Sequence, residues 1–226
     1  MVLDRTGSAL GSGRGEWGWL LCAIVVALAW SLEVVLFRQP AADAFRDLGF
    51  RAAGGAALLV AAFVAALMAL YFPLAAPLPL RDDWLALVPG LFAQHGLAEE
   101  TLFRGFVFRR LRARRSFARA AFLSTLVFVA AHLYLFTYME PAVALASTLL
   151  AAAIAYPQAR LFELGGNTVW APALLHLGVH AIKLVELPAD PTRVTVGWMA
   201  VCAVVPWVVF AVPRRWGNAN RWRPGG

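Results

Sequence analysis

The chain has 226 residues, of which 61% are hydrophobic and 15% charged, and its formal net charge is +7. Soluble domains usually contain about 45–50% apolar and about 25% charged residues, so this composition, with a mean hydropathy of +0.68, argues against an ordinary soluble domain. The arginines gather at the ends of apolar runs and not on a soluble basic face, which excludes nucleic acid as the expected partner. The sequence therefore predicts an integral membrane protein.

In chain order, a polar, glycine-rich leader precedes apolar runs that are mostly long enough to cross the roughly 20-residue hydrocarbon layer. The predicted fold is an all-α polytopic membrane helix bundle of about seven transmembrane helices. The predicted segments are Trp17–Phe37, Ala52–Phe72, Trp84–Phe108, Phe117–Met139, Pro141–Gln158, Asn167–Glu186 and Val194–Val212.

These segments divide the chain into four predicted regions. Residues 1–16 are the leader, 17–83 hold two transmembrane helices, 84–187 form the core of the chain, and 188–226 hold the last helix and a basic tail. Arginine clusters after the third segment, at 109–119, and after the seventh, at 214–223, predict that these two ends face the cytoplasm, as does the loop before Ala52; Arg160 is assigned to a further cytoplasmic loop. Cys22 and Cys202 are predicted to be buried and unpaired.

Ionisable groups within membrane spans are rare and are functional candidates by default. All four histidines of the chain lie in predicted spans, together with several charged residues. The candidates are Glu33, His95, Glu99, Glu100, Arg104, His132, His176 and His180.

Helical spacing sorts these candidates. Glu100 and Arg104 are four residues apart, so they share a helix face and can pair, whereas Glu99 is rotated by about 100° and is free to act as a base. His176 and His180 also share a face. His132 follows Phe128 by one turn, and the Phe128 ring is a candidate shelf for its imidazole.

Some candidates also have purely structural interpretations. We expect His95 to form an interhelical hydrogen bond, and Glu33 to be an interhelical polar contact or a lipid-interface residue. Alternatively, Arg104 is part of the arginine cluster that follows it in the sequence. For the remaining set, three helices that bring a carboxylate and three imidazoles to one buried point are better explained by a single site.

Such a site suits hydrolysis, with Glu99 taking a proton from water, His132 assisting, and other imidazoles holding the oxyanion. Glutamate and histidine can equally hold a divalent metal, zinc being preferred, although the H-E-x-x-H signature is absent. A proton-coupled transporter would also collect buried glutamate and histidine, but no internal repeat supports it. A non-catalytic membrane scaffold is the other alternative.

Three short motifs resemble those of the CPBP family of intramembrane proteases, which includes the CAAX prenyl endopeptidases and the bacterial Abi proteins. "EETLFR" at 99–104 resembles the family's E-E-x-x-x-R motif, and "FVAAH" at 128–132 resembles F-x-x-x-H. "HLGVH" at 176–180 resembles H-x-x-x-N, with histidine in place of the commoner asparagine. The resemblance covers about residues 84–187.

The resemblance implies proteolysis within the membrane. Carried over by position, Glu99 and His132 activate water, His176 and His180 stabilise the oxyanion, and Glu100 and Arg104 support them. The family has been described both as metalloproteases and as metal-independent glutamic proteases. We favour the second description and expect no cofactor, with zinc as the alternative that His180 keeps open.

The expected substrate is a membrane-embedded protein or peptide that is cleaved near its C-terminus. The alanine- and arginine-rich composition is typical of bacteria, where prenylated substrates are not expected, so a C-terminal sorting anchor and a bacteriocin-related peptide both remain candidates. The expected location is the bacterial inner membrane. The sequence does not indicate the oligomeric state. We expect no nucleic-acid partner.

Overall fold

The computed structural model describes residues 17–213, so the leader, with Arg5 and Arg14, and the arginines from Arg214 onward lie outside it. The described residues are 79% helical and contain no β-strand. They form eight helices. These are α1 (Gly18–Leu36), α2 (Ala41–Asp47), α3 (Gly55–Ala75), α4 (residues 84–112), α5 (Phe117–Thr137), α6 (Pro141–Leu164), α7 (residues 170–184) and α8 (Thr192–Ala211).

Five of these helices (α1, α3, α5, α6 and α8) are long and apolar enough to cross a membrane, and their outward faces carry apolar side chains. The all-α polytopic bundle is confirmed, and the protein is an integral membrane protein. The predicted count of seven spans is not confirmed. Helix α4 carries Glu99, Glu100 and Arg104, while α7 spans only 15 residues, its last turn being a 3-10 helix.

One predicted helix end is wrong. We expected the fifth span to end at Gln158, with Arg160 in a cytoplasmic loop, but α6 continues to Leu164. Arg160 is buried inside that helix and donates from Nη2 to the carbonyl of Val212, 2.9 Å away. The backbone carbonyl of α8's C-terminal end accepts from this arginine, so its charge does not mark a loop.

Helices α4 and α7 approach each other closely because one contact position is glycine. A Cβ on Gly96 would lie 2.9 Å from the carbonyl oxygen of Ala173, closer than a carbon atom can approach without displacing the backbone. Small residues allow this kind of backbone approach between membrane helices. The close contact brings the polar faces of α4 and α7 together in the interior.

The arginines at the end of α4 bind carboxylates of neighbouring helices. Glu33 of α1 is fully buried and accepts from Arg109, at 2.5 Å, and from Arg110. The guanidinium of Arg110 also lies over the ring of Phe37. The prediction that Glu33 is an interhelical polar contact is therefore confirmed. Cys22 and Cys202 are both buried and free, as predicted.

Candidate active site

Helix α4 departs from α-helical geometry on both sides of the two adjacent glutamates. Phe92–Ala98 and Thr101–Phe108 are π-helical, with hydrogen bonds from residue i to i+5. Wider turns of this kind occur frequently at functional sites. Here they place Glu99 and Glu100 between two distorted segments, and the two carboxylates lie in different surroundings.

Glu100 is fully buried and pairs with Arg104, which is only 1% exposed. The guanidinium Nη1 donates to Glu100 Oε1 at 3.2 Å, and Nη2 donates to the side-chain oxygen of Gln158 on α6 at 2.5 Å. The ring of Phe128 lies 4.7 Å from the guanidinium carbon. The predicted pairing is confirmed, and Arg104 does not belong to the arginine cluster at the end of α4.

His176 connects the two carboxylates. Its Nδ1 lies 2.8 Å from Glu100 Oε1, and its Nε2 lies 3.8 Å from Glu99 Oε2. Because a carboxylate only accepts hydrogen bonds, the Nδ1–H of His176 donates to Glu100. The ion pair of Glu100 with Arg104 thereby fixes the orientation of an imidazole on α7, and Nε2 is the nitrogen that faces Glu99.

Glu99 belongs to a second hydrogen-bonded group that sequence reasoning did not find. His95 Nδ1 lies 2.9 Å from Glu99 Oε1, and Lys183 Nζ lies 3.1 Å from His95 Nε2. The predicted interhelical hydrogen bond of His95 is confirmed, because Lys183 lies on α7 and His95 on α4, but the structure also places His95 beside Glu99. The spacing of four residues from His95 to Glu99 was the signal that could have revealed it.

His132 on α5 borders the same space as Glu99. Its Nδ1 donates to the carbonyl of Phe128 at 2.8 Å, so Nε2 is the acceptor nitrogen whenever the ring is neutral. The Phe128 ring meets the imidazole edge to face at 4.5 Å, so the expected shelf is present. Glu99 and His132 line a cavity of about 190 Å³ together with His95 and apolar side chains of α1, α4 and α5.

His180 is the first residue of the 3-10 turn His180–Leu184 that ends α7. Its ring stacks on His176 at a centroid distance of 5.3 Å and on His95 at 3.8 Å. The expectation that His176 and His180 share a face is therefore confirmed. The structure thus gathers the carboxylates and imidazoles of α4, α5 and α7 into one polar interior.

Glutamate and histidine side chains are also the residue types that could hold a divalent metal ion here. Within residues 17–213, no three histidine, cysteine, aspartate or glutamate side chains are arranged as a group able to hold a metal ion. One nitrogen of His176 and both nitrogens of His95 are already engaged with protein partners. Within the described residues, the carboxylates and imidazoles as placed do not form a metal-ligand set.

Fold and site define a class: a polytopic membrane protein with a buried carboxylate–imidazole centre. Residues 81–182 match the family model described as type II CAAX prenyl endopeptidase Rce1-like. The resemblance to the CPBP proteases is therefore confirmed over these residues. No curated protein and no solved structure shows a significant match to the chain.

The family match supports a CAAX-type intramembrane endopeptidase, a hydrolase that acts on a membrane-embedded protein substrate within the bilayer. Nothing in the match favours the transporter or the scaffold. The matched residues, 81–182, lie close to the core expected at 84–187, and they contain all six residues predicted for the site.

Proposed function

We propose that this protein is a glutamic-type intramembrane endopeptidase that cleaves membrane-anchored proteins or peptides near their C-terminus. The observation that supports the proposal most strongly is that the two adjacent glutamates lie in different environments. Glu100 is neutralised by Arg104 and holds His176, whereas Glu99 lines a cavity with His132. One carboxylate is structural and the other is available to a substrate.

In the proposed mechanism, Glu99 accepts a proton from water while the water oxygen attacks the scissile carbonyl carbon. A single water needs roughly 10–15 Å³ of accessible space, so a cavity of about 190 Å³ has room for water and a peptide group. His132 borders this cavity and assists by accepting a hydrogen bond from the attacking water at Nε2. The proton held by Glu99 then passes to the leaving amine.

His176 and His180 stabilise the oxyanion in this mechanism. Because Nδ1–H of His176 donates to Glu100, Nε2 can donate to an oxyanion only when the ring carries both protons. Glu100, whose charge Arg104 already balances, holds that ring in place through Nδ1. His180, stacked on His176, places a second N–H donor beside it.

The substrate class is inferred from the walls of the cavity. Beside its polar residues, the cavity is lined by apolar side chains: Leu21 and Val25 of α1, Leu102 and Phe103 of α4, and Ala131 of α5. An apolar wall suits a transmembrane segment that arrives from the lipid. A C-terminal sorting anchor or a bacteriocin-related peptide of a bacterial inner membrane fits this chemistry.

The proposal is tested with purified protein in detergent or lipid vesicles and a quenched fluorescent peptide that carries a hydrophobic C-terminal anchor. We expect the wild type to cleave the peptide at the same initial rate with and without EDTA or phenanthroline. Mass spectrometry of the products locates the cleaved bond, which is expected near the anchor. Absence of cleavage across a panel of anchor sequences contradicts the proposal.

The histidine at position 180 provides a separate prediction about mechanism. If His180 donates a hydrogen bond to the oxyanion, His180→Asn keeps a donor and should retain most of the activity. His180→Ala removes the donor and should lower the initial rate by about 10²–10³-fold. Initial rates for both variants, each with and without chelator, measure the difference. Equal failure of both variants, with a chelator-sensitive wild type restored by zinc, would instead establish a metal site, because asparagine is a poor zinc ligand.

A further inference from the structure

A hydrogen-bonded chain leads from Lys183, at the end of α7, through His95 to Glu99. The two links are 3.1 Å, from Lys183 Nζ to His95 Nε2, and 2.9 Å, from His95 Nδ1 to Glu99 Oε1. His95 is buried and Lys183 is half-buried. None of the three motifs at 99–104, 128–132 and 176–180 contains Lys183 or His95.

The hydrogen bonds from Lys183 through His95 to Glu99 can be donated in only one direction. A lysine ammonium donates hydrogen bonds and accepts none, so Nε2 of His95 must be the acceptor. The ring is then neutral, its proton is on Nδ1, and that Nδ1–H donates to the Glu99 carboxylate, which only accepts. Lys183 thereby selects one tautomer of His95.

The plane of the His95 ring is also fixed. His180 stacks on it at 3.8 Å with an interplanar angle of 24°. The charged and titratable groups that face His95 are thus Lys183, Glu99 and His180, with the His176 ring at 6.4 Å. Both the tautomer and the orientation of His95 are determined by its neighbours.

Lys183 is the single lysine of the chain, whose other basic residues besides histidine are arginines. Lysine and arginine are not equivalent here. An ammonium is a compact donor that can point one N–H at one ring nitrogen, whereas a guanidinium is a planar fork suited to carboxylates. The arginines Arg104, Arg109 and Arg112 do pair with carboxylates, and the lysine meets an imidazole.

We propose that Lys183 and His95 are positioning residues for Glu99, an inference that rests on the proteolytic function proposed above. The Nδ1–H of His95 occupies Glu99 Oε1. The carboxylate is therefore held with Oε2, the oxygen that lies 3.8 Å from His176 Nε2, as the one that takes the proton from water. Lys183 acts through His95 and does not contact the substrate.

Kinetics of Lys183 variants test this inference. Lys183→Met removes the donor, and we expect kcat to fall about 10–100-fold with KM unchanged, the usual range for partners that orient a functional histidine. Lys183→Arg still supplies an N–H, but its planar fork fits a single ring nitrogen less well, so kcat should recover only in part. Arg81→Met is the matched control, because Arg81 is a partly buried cation bound to Asp83, and its backbone N–H donates to the carbonyl of Leu184.

A second measurement does not require a substrate. The chain has four histidines, so ¹⁵N-histidine labelling gives a spectrum simple enough to assign with His95→Gln. We expect wild-type His95 to be protonated at Nδ1 only. In Lys183→Met, a population protonated at Nε2 should appear, because nothing then requires that nitrogen to accept.

The outcomes separate this inference from the protease assignment. A wild type that cleaves, together with a Lys183→Met variant of normal kcat, overturns the positioning role and leaves the proteolytic function intact. A wild-type His95 protonated at Nε2 overturns it as well, whatever the kinetics show. A wild type that cleaves no anchor peptide removes the function and, with it, the positioning role.

Discussion

Glu99→Gln is expected to reduce the initial rate of peptide cleavage by about 10²–10⁴-fold, the usual contribution of a general base. Glutamine keeps the shape of the side chain and can still accept from His95 Nδ1, so the fold should be retained. It cannot take a proton from water, because a neutral amide is not a base. The rate is measured with the quenched anchor peptide, and the thermal midpoint in detergent reports on folding.

The matched control is Glu186→Gln, which neutralises an exposed carboxylate close to Arg81 and outside the site cavity. This variant should cleave at the wild-type rate. If Glu99→Gln is well folded and cleaves as fast as the wild type, Glu99 is not the base and the glutamic-type mechanism is wrong.

Arg104→Ala is expected to destabilise the protein by about 3–5 kcal/mol, the typical cost of removing one partner of a buried ion pair. Glu100 is fully buried, so loss of Arg104 leaves its charge without compensation, and Gln158 loses the donor that now lies 2.5 Å from its oxygen. Activity should fall in parallel because His176 is held by Glu100. Thermal unfolding in detergent measures the effect.

Two further variants make this prediction specific. Arg46→Ala breaks an exposed ion pair with Asp43 and should change stability by no more than about 1 kcal/mol. Combining Arg104→Ala with Glu100→Gln removes the uncompensated charge and should recover part of the lost stability. If Arg104→Ala abolishes cleavage with an unchanged midpoint, Arg104 acts in catalysis and not in stability.

The sequence was informative where the physical rule is local. The apolar runs predict the helices, because a segment that crosses the membrane must satisfy its backbone N–H and C=O groups by hydrogen bonds within itself. A spacing of four residues paired Glu100 with Arg104, and it placed His176 beside His180. The separation of Glu99 from that pair also followed from helix geometry, since adjacent residues point about 100° apart.

The sequence was less informative where the partner is distant in the chain. Gln158 lies 54 residues from Arg104, and Lys183 lies 88 residues from His95, so no spacing rule connects them. Arg160 was misplaced because a charge near the end of an apolar run resembles a loop charge, and its acceptor, the carbonyl of Val212, is 52 residues away. Such contacts exist only after the helices have packed.

The buried charges of α4 bear on the order in which the protein is assembled. Glu99, Glu100 and Arg104 lie within eight residues of one another, and a charged residue at the centre of a helix costs roughly 2.5–3.5 kcal/mol during insertion by the translocon. Glu100 and Arg104 pair with each other inside α4, but the further partners of this pair, Gln158 of α6 and His176 of α7, are synthesised later. Helix α4 is therefore expected to wait at the translocon or the membrane surface until those helices emerge. When a ribosome is stalled before residue 170, a cysteine introduced into α4 of a variant that lacks Cys22 should react with thiol reagents from the aqueous side.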